Sequence, residues 1–347
     1  MTAPFEIFPT GTPGLEQLLA DEATEKRFQD VTAIKGGVSF HGTWADVWRA
    51  NLELRGATRV LARMGSFMAF LLAQLDKRAR KFPWGDVLRT DLPVKVEVTC
   101  KASKIYHAGA ASQRIETALT ESHGIPVSKE AELVIKRGHK HGIGKAPMRE
   151  TLASLMLRAC GFTGAEPIYD PMCGSGTFPI EAAEIAAGLQ AGRSRSFAFE
   201  QLASFDAEAF AALRKDDHVS PPQRFYGSDR DAGAIKMSTE NAARAGVSAL
   251  TDFQMKPVSD IAPPDGPPGL VIVNPPYGAR IGNKKLLYPL YGSLGEVLGR
   301  NFKGWRVGLV TSEPGLAKAT GLPFLPQGPS IPHGGLKVWL FRTEALG

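Results

Sequence analysis

Two periodicities take turns along this chain, an alternation of apolar and polar residues and a recurrence near every third or fourth position. At the start, "FEIFPT" reads as a strand, "GLEQLLADEAT" as an amphipathic helix, "GGVSFHG" as a strand closed by glycines and "TWADVWRANLELR" as a helix, together a small α+β unit. Over residues 60–81, "VLARMGSFMAFLLAQLDKRARK" keeps apolar residues at helical spacing and predicts a helix ending in a basic cluster. In "LPVKVEVTC", Val94, Val96 and Val98 alternate with Lys95, Glu97 and Thr99, which predicts a strand, and "AASQRIETALTESHG" predicts the next helix. Residues 135–150, "IKRGHKHGIGKAPMRE", are basic and glycine-punctuated with no sustained period, the signature of a connection.

Beyond that connection the pattern changes. "RETLASLMLRACG" is helical, "EPIYD" a short strand and "GTFPIEAAEIAAG" a helix; then come strand "RFYGSD", helix "AGAIKMSTENAARAG", a strand near "TDFQM" and the apolar strand "LVIVN". Alternating strands and helices predict a parallel, doubly wound α/β sheet with ligands at the carboxyl ends of its strands. "LKVWLF", near the end, reads as a last strand completing that sheet.

Composition adds bounds. The 347 residues fit two domains, and no apolar run approaches the ~20 residues of a membrane span, so membrane insertion is not expected. The N-terminus lacks the basic and apolar regions of a signal peptide, and Cys100, Cys160 and Cys173 form no CxxC pair. This points to a reducing, cytoplasmic setting and away from a structural zinc. Of the net charge of +6, residues 1–150 carry five charges and the remainder one. A basic first part suits a polyanionic partner, and it equally suits an ordinary solvated surface.

Chemistry concentrates in two stretches. In "YDPMCGSGTFPIEAAEIA" a strand ending at Asp170 enters a turn through Pro171, Cys173, Gly174, Ser175 and Gly176, and Thr177 opens a helix whose free N–H groups face a ligand. A dinucleotide fingerprint would place another small residue at Pro179 and an acid ~20 residues on, so NAD binding is disfavoured. The next strand-end acid is Asp229, whose carboxylate can accept from both hydroxyls of a ribose; Asp231 sits where a helix N-cap belongs.

The second stretch is "GLVIVNPPYGAR". Proline fixes φ, lacks an N–H and holds the preceding residue extended. Asn274, Pro275 and Pro276 therefore form a stiff cup of acceptors, with Tyr277 beside it to stack on a ring. Such a cup suits a planar substrate bearing an exocyclic amine: the Asn274 amide oxygen and the Pro275 carbonyl accept its two N–H bonds and turn the nitrogen lone pair toward an electrophilic methyl.

These residues resemble the class I S-adenosylmethionine-dependent methyltransferases, and more narrowly the THUMP-domain RNA guanine-N2 methyltransferases, over nearly the whole chain. "DPMCGSGTFPIEAA" and "NPPYGARIG" look like that family's cofactor and catalytic motifs, "APMRETLA" like its entry helix, and "RANLELRGATRVL" and "SKIYHAGAASQRIETAL" like its RNA-binding part. The resemblance is greatest to bacterial enzymes that modify a guanine of 23S ribosomal RNA. It implies a ferredoxin-like part over 1–55, a THUMP-type part over 56–135, a linker over 136–150 and a Rossmann-like methyltransferase domain over 151–347. It also implies that Asp170, Pro171 and residues 173–177 line the methionine end of S-adenosylmethionine, that Asp229 holds its ribose, and that Asn274, Pro275, Pro276 and Tyr277 hold the guanine.

Two places depart from the family pattern. An acid usually follows the third strand to contact the adenine, whereas this chain has Lys256 and Pro257 there and Asp260 a little later, so no adenine ligand is assigned. After Gly124 the chain passes almost directly into "KRG", which implies either a trimmed THUMP sheet or a missing internal segment. Lys77, Arg78, Arg80 and Lys81, with Phe82 and Trp84, are candidate RNA contacts or simply a solvated helix end. His139 and His141 lack companions for a metal. Transfer RNA, adenine-N6 methylation of DNA, methylation of a glutamine amide, and a non-catalytic RNA-binding role with a relic cofactor fold remain alternatives.

Overall fold

The alternation at the start becomes a four-stranded antiparallel sheet in the computed structural model, which describes residues 4–130, 148–215, 218–277 and 287–347. Its elements are β1 (Phe5–Thr10), α1 (Glu16–Glu25), β2 (Thr32–Ile34), β3 (Gly37–Gly42), α2 (Trp44–Glu53) and β4 (Arg59–Ala62), with strand order β2-β3-β1-β4. Phe5 and Ile7 of β1 point inward, as period two requires. Gly37 is needed where β3 meets β1, since a Cβ there would lie 2.2 Å from the Pro9 carbonyl oxygen.

The helix expected over 60–81 is not formed as such. Val60 belongs to β4, which pairs with β1 from Thr10↔Arg59 to Ile7↔Ala62, and α3 spans only Leu72–Ala79. The free edge of β1 offers backbone partners that a local helical spacing cannot outbid, and Gly65 and Ser66 interrupt the helix that remained. The strand expected over 94–99 is also absent. Val94 makes one parallel bridge with Val127, donating to the Pro126 carbonyl at 2.9 Å and accepting from Ser128 N at 2.9 Å. No second strand among the described residues lies alongside to pair the rest. Helix α4 (Ala108–His123) forms as expected and ends on Gly124 at φ 66°. The connection over 135–150 lies mostly outside the described residues.

From α5 (Glu150–Ala159) onward the chain builds a seven-stranded sheet. In order come β5 (Ile168–Asp170), α6 (Thr177–Ala186), α7 (Ala207–Leu213), β6 (Phe225–Asp229), α8 (Ala232–Ala245), β7 (Thr251–Met255), β8 (Leu270–Val273), α9 (Leu287–Asn301), β9 (Arg306–Thr311), α10 (Pro314–Ala319), β10 (Ile331–His333) and β11 (Leu336–Arg342). The order across the sheet is β10-β11-β9-β8-β5-β6-β7. The five strands from β9 to β7 are parallel, and β11 and β10 add an antiparallel edge. The α/β architecture expected from the sequence is thus present, with the terminal strand in the sheet.

The order reverses beside β5, whose successor β6 lies on one side and β8 on the other. In parallel sheets such a reversal is the place where ligands bind, at the strands' carboxyl ends. Both chemistry-bearing stretches leave from these two neighbouring strands.

The two sheets are tied by a buried ion cluster. Arg55, between α2 and β4, donates to Glu181 Oε1 at 2.9 Å, to Glu184 Oε2 at 3.2 Å and to the Leu189 carbonyl. Glu22 of α1, also buried, accepts from Arg55 N at 2.7 Å and Gly56 N at 3.0 Å. Among the described residues no helix is long and apolar enough to cross a membrane.

Candidate active site

The turn after β5 is stitched to β6 by its own backbone. Cys173 N donates to the Ser228 carbonyl at 2.9 Å, and Gly174 N donates to Asp229 Oδ2 at 3.1 Å. Gly174 and Gly176 adopt φ of 53° and 78°, the left-handed region that glycine takes without strain. A Cβ on Gly174 would meet nothing within 4 Å, so that face of the turn is open; on Gly176 it would press Ser238 at 2.8 Å and Phe253 at 3.0 Å. Asn241 of α8 holds the far side, its amide donating to the Ser175 carbonyl at 3.0 Å. The Ser175 and Thr177 hydroxyl oxygens lie 3.4 Å apart.

Asp229 ends β6 half-buried, its Oδ1 accepting from Asp231 N at 3.0 Å while Oδ2 serves Gly174. Each oxygen keeps a lone pair for a further donor. Asp231 caps α8 through Gly233 N at 2.8 Å, as its position suggested. Lys256, where an adenine-contacting acid would stand in the family pattern, donates its N–H to the Asp229 carbonyl at 3.0 Å, and Asp260 is exposed.

Asp170 is buried, and its Oδ1 accepts from Met172 N at 3.1 Å. Burial, and then the neighbouring Asp229 charge, push its carboxyl well above the ordinary carboxylate range. The native state therefore binds this proton more tightly than the unfolded chain. Stability from this group is full below the unfolded value of about 4 and is lost as pH rises toward the native value, by at most about 1.4 kcal/mol per pH unit. The expected result is a melting temperature of the ligand-free protein that falls over this window in the wild type and falls less in Asp170→Asn. Parallel curves for the two proteins would show that Asp170 is ionised in the native state. Burial likewise raises the Cys173 thiol well above its usual value, which suits a packing side chain and not a thiolate nucleophile.

At the end of β8, the Asn274 Oδ1 atom is buried and has no hydrogen-bond donor among the described residues. Pro275 is buried, and Pro276 and Tyr277 are half-buried. The Pro276 carbonyl accepts from the Tyr291 hydroxyl at 3.2 Å. Tyr277 packs against both apolar clusters of the domain. Residues 278–282 of the motif lie outside the described residues.

Among the basic candidates, Arg80 is an intramolecular clamp. It pairs with Asp76 at 3.0 Å and Glu121 at 2.8 Å and so joins α3 to α4. Lys77, Arg78 and Lys81 are exposed. The Trp84 indole donates to the Ala79 carbonyl at 2.8 Å, a packing role. Sequence reasoning passed over Phe70 and Tyr106, which are 49% and 86% exposed, with Lys104 Nζ 5.0 Å from the Phe70 ring centre. It also passed over Ser228, Ser238, Asn241, Phe253, Tyr291 and Thr311, which carry no local signal and reach the site from other elements.

A parallel sheet with this reversal, a glycine turn tied to an acid-tipped β6, and an Asn-Pro-Pro-Tyr end on β8 define a Rossmann-like class I methyltransferase with a ferredoxin-like unit before it. The model of the RMKL-like methyltransferase domain family (UPF0020) matches residues 137–323, and the chain belongs to that family. The model of the RlmL ferredoxin-like domain matches residues 6–61. A Synechocystis sp. protein named as an RNA methyltransferase is 29% identical over 97% of this chain and 96% of its own length. The ribosomal RNA large subunit methyltransferase K/L of Syntrophotalea carbinolica is 31% identical over 93% of this chain and 51% of its own length. The chain thus spans about half the length of such K/L relatives. The solved structure of a Listeria monocytogenes protein, described as a predicted N6-adenine-specific DNA methylase, superposes with a TM-score of 0.86 at 26% identity, covering 99% of this chain and 97% of that one.

Proposed function

We propose that the protein transfers a methyl group from S-adenosylmethionine to the exocyclic N2 of a guanosine in structured RNA, namely 23S ribosomal RNA, in the cytoplasm. The observation that carries this reading is the Asn274 amide oxygen, a buried acceptor with no donor among the described residues, at the end of β8 and next to the strand that bears the glycine turn. A buried acceptor without a partner costs about 1–3 kcal/mol, and a substrate N–H removes that cost. The relatives named for RNA and for ribosomal RNA methylation, and the basic first part of the chain, support RNA as the substrate.

The open face at Gly174 and the spare lone pairs of Asp229 fit the donor, with Asp170, Pro171 and residues 173–177 along its methionine end. When bound, S-adenosylmethionine supplies an electrophilic methyl group. Asn274 Oδ1 and the Pro275 carbonyl accept the two amine N–H bonds, orienting the nitrogen lone pair, and Tyr277 stacks on the base. The base is turned out of its stack at a cost of a few kcal/mol, offset by RNA contacts elsewhere. Lys77, Arg78 and Lys81, together with Phe70 and Tyr106, offer charge and stacking for those contacts.

Asp229→Ala is expected to weaken donor binding ten- to a hundred-fold, the loss of roughly one charge-assisted hydrogen bond, as read by calorimetric titration. An unchanged titration would remove Asp229 from the site.

The function itself is tested with labelled donor, unmodified ribosomal RNA, transfer RNA and duplex DNA offered separately and in competition, followed by nucleoside digestion. Label in N2-methylguanosine from ribosomal RNA is the expected product. Label in N6-methyladenine from DNA would favour the second reading, to which the name of the Listeria protein gives weight. Label only in transfer RNA would keep the chemistry and change the substrate.

A further inference from the structure

The turn over residues 274–277 has few ways to be held. Its two prolines have no N–H, so two backbone donors that would ordinarily anchor a loop are missing. The turn's acceptors therefore carry more of its anchoring, and one of these is fixed from a distance. The Tyr291 hydroxyl, on α9, lies 3.2 Å from the Pro276 carbonyl oxygen and 3.3 Å from Thr311 Oγ1, at the end of β9. Tyr291 and Thr311 are both 0% exposed, so the hydroxyl pair is dry, while the Pro276 end of the chain is half-buried.

The direction of the chain follows from what each atom can do. A carbonyl only accepts, so the Tyr291 proton goes to Pro276. Thr311 Oγ1 accepts from Glu313 N at 3.2 Å, and its own proton is available for the Tyr291 oxygen. A backbone N–H thus orients a hydroxyl, which orients a phenol, which holds the proline carbonyl. Burial raises the Tyr291 phenol far above its ordinary range, so it stays a donor.

Resting on the assignment of Asn274 and Pro275 to the substrate amine, we propose that Tyr291 is a positioning residue. Its hydroxyl, backed by Thr311, pins the Pro276 carbonyl toward α9 and thereby aims the preceding Asn274 and Pro275 acceptors at the base. The alternative is a hydroxyl that merely satisfies itself in the core.

The two roles separate in kinetics. Full-length wild type, Tyr291→Phe, Thr311→Val and Thr311→Ser are compared for methyl transfer to RNA, donor affinity and melting temperature. Tyr291→Phe removes one oxygen and keeps the ring in place, so folding is expected to survive. Its kcat is expected to fall about ten- to a hundred-fold, the effect of a slightly misplaced reacting geometry, with donor Kd and the KM for RNA within about two-fold of wild type. Thr311→Val should lose part of the same kcat, and Thr311→Ser, which keeps the hydroxyl, should recover it. A wild-type kcat in Tyr291→Phe, whatever its melting temperature, overturns the positioning role. Failure of the underlying reading looks different: wild type itself would place no methyl on an exocyclic amine, and the proposal falls with it.

Discussion

Asn274→Ala is expected to lower kcat by about a hundred- to a thousand-fold, the loss typical when a preorganised polar group aimed at the reacting centre is removed, while donor affinity stays at its wild-type value. The second half of the expectation is the more discriminating. An ordinary buried polar residue stabilises the fold through its hydrogen bonds, and removing it costs stability. The Asn274 oxygen makes none among the described residues and is buried. Deleting it therefore removes a penalty, and the melting temperature should hold or rise as activity collapses. Asn274→Asp keeps an oxygen at the same place and should retain more activity than the alanine variant. Wild-type turnover in Asn274→Ala would detach the cup from the chemistry; a large drop in melting temperature would mean that the amide serves the fold.

Arg55→Ala should be the most damaging single change to stability, about 3–5 kcal/mol, measured by chemical denaturation of the full chain. Glu181 is 1% exposed and Glu184 3%, and Arg55 reaches both. Glu184 also pairs with Arg193 at 2.6 Å, so the cluster holds two buried carboxylates between Arg55 and its neighbours. The cost arises from removing positive charge that neutralises buried carboxylates in a dry interface, more than from the worth of the pair. Replacing both members with apolar residues, Arg55→Met with Glu181→Leu, should therefore recover most of the lost stability. If the double variant is no better than Arg55→Ala, the ion pair itself is the source of the stability. Because Glu181 and Glu184 lie on α6, the helix that follows the glycine turn, the same cluster joins the ferredoxin-like unit to the wall of the site.

The sequence by itself determined whatever is encoded within a few neighbouring residues. Two glycines at positive φ made the turn after β5, an aspartate two residues past a strand became the cap of α8, and an apolar run ended by two prolines became β8 and its rigid tip. Each is a local restriction on φ or a local hydrogen bond, so no distant partner is needed to read it. Tertiary structure decided the rest. Helical spacing near Val60 gave way to β4 because β1 had an unpaired edge, and the alternation at Val94, Val96 and Val98 found only a single bridge. Pro276, grouped with the other acceptors on chemistry alone, turned out to be held by Tyr291, fifteen residues on and in another element. Arg80, one basic residue among four in the sequence, is neutralised by Asp76 and Glu121. Pairing of this kind depends on which groups the folded chain brings together, and backbone edges, carbonyls and guanidinium groups take whatever partner arrives there.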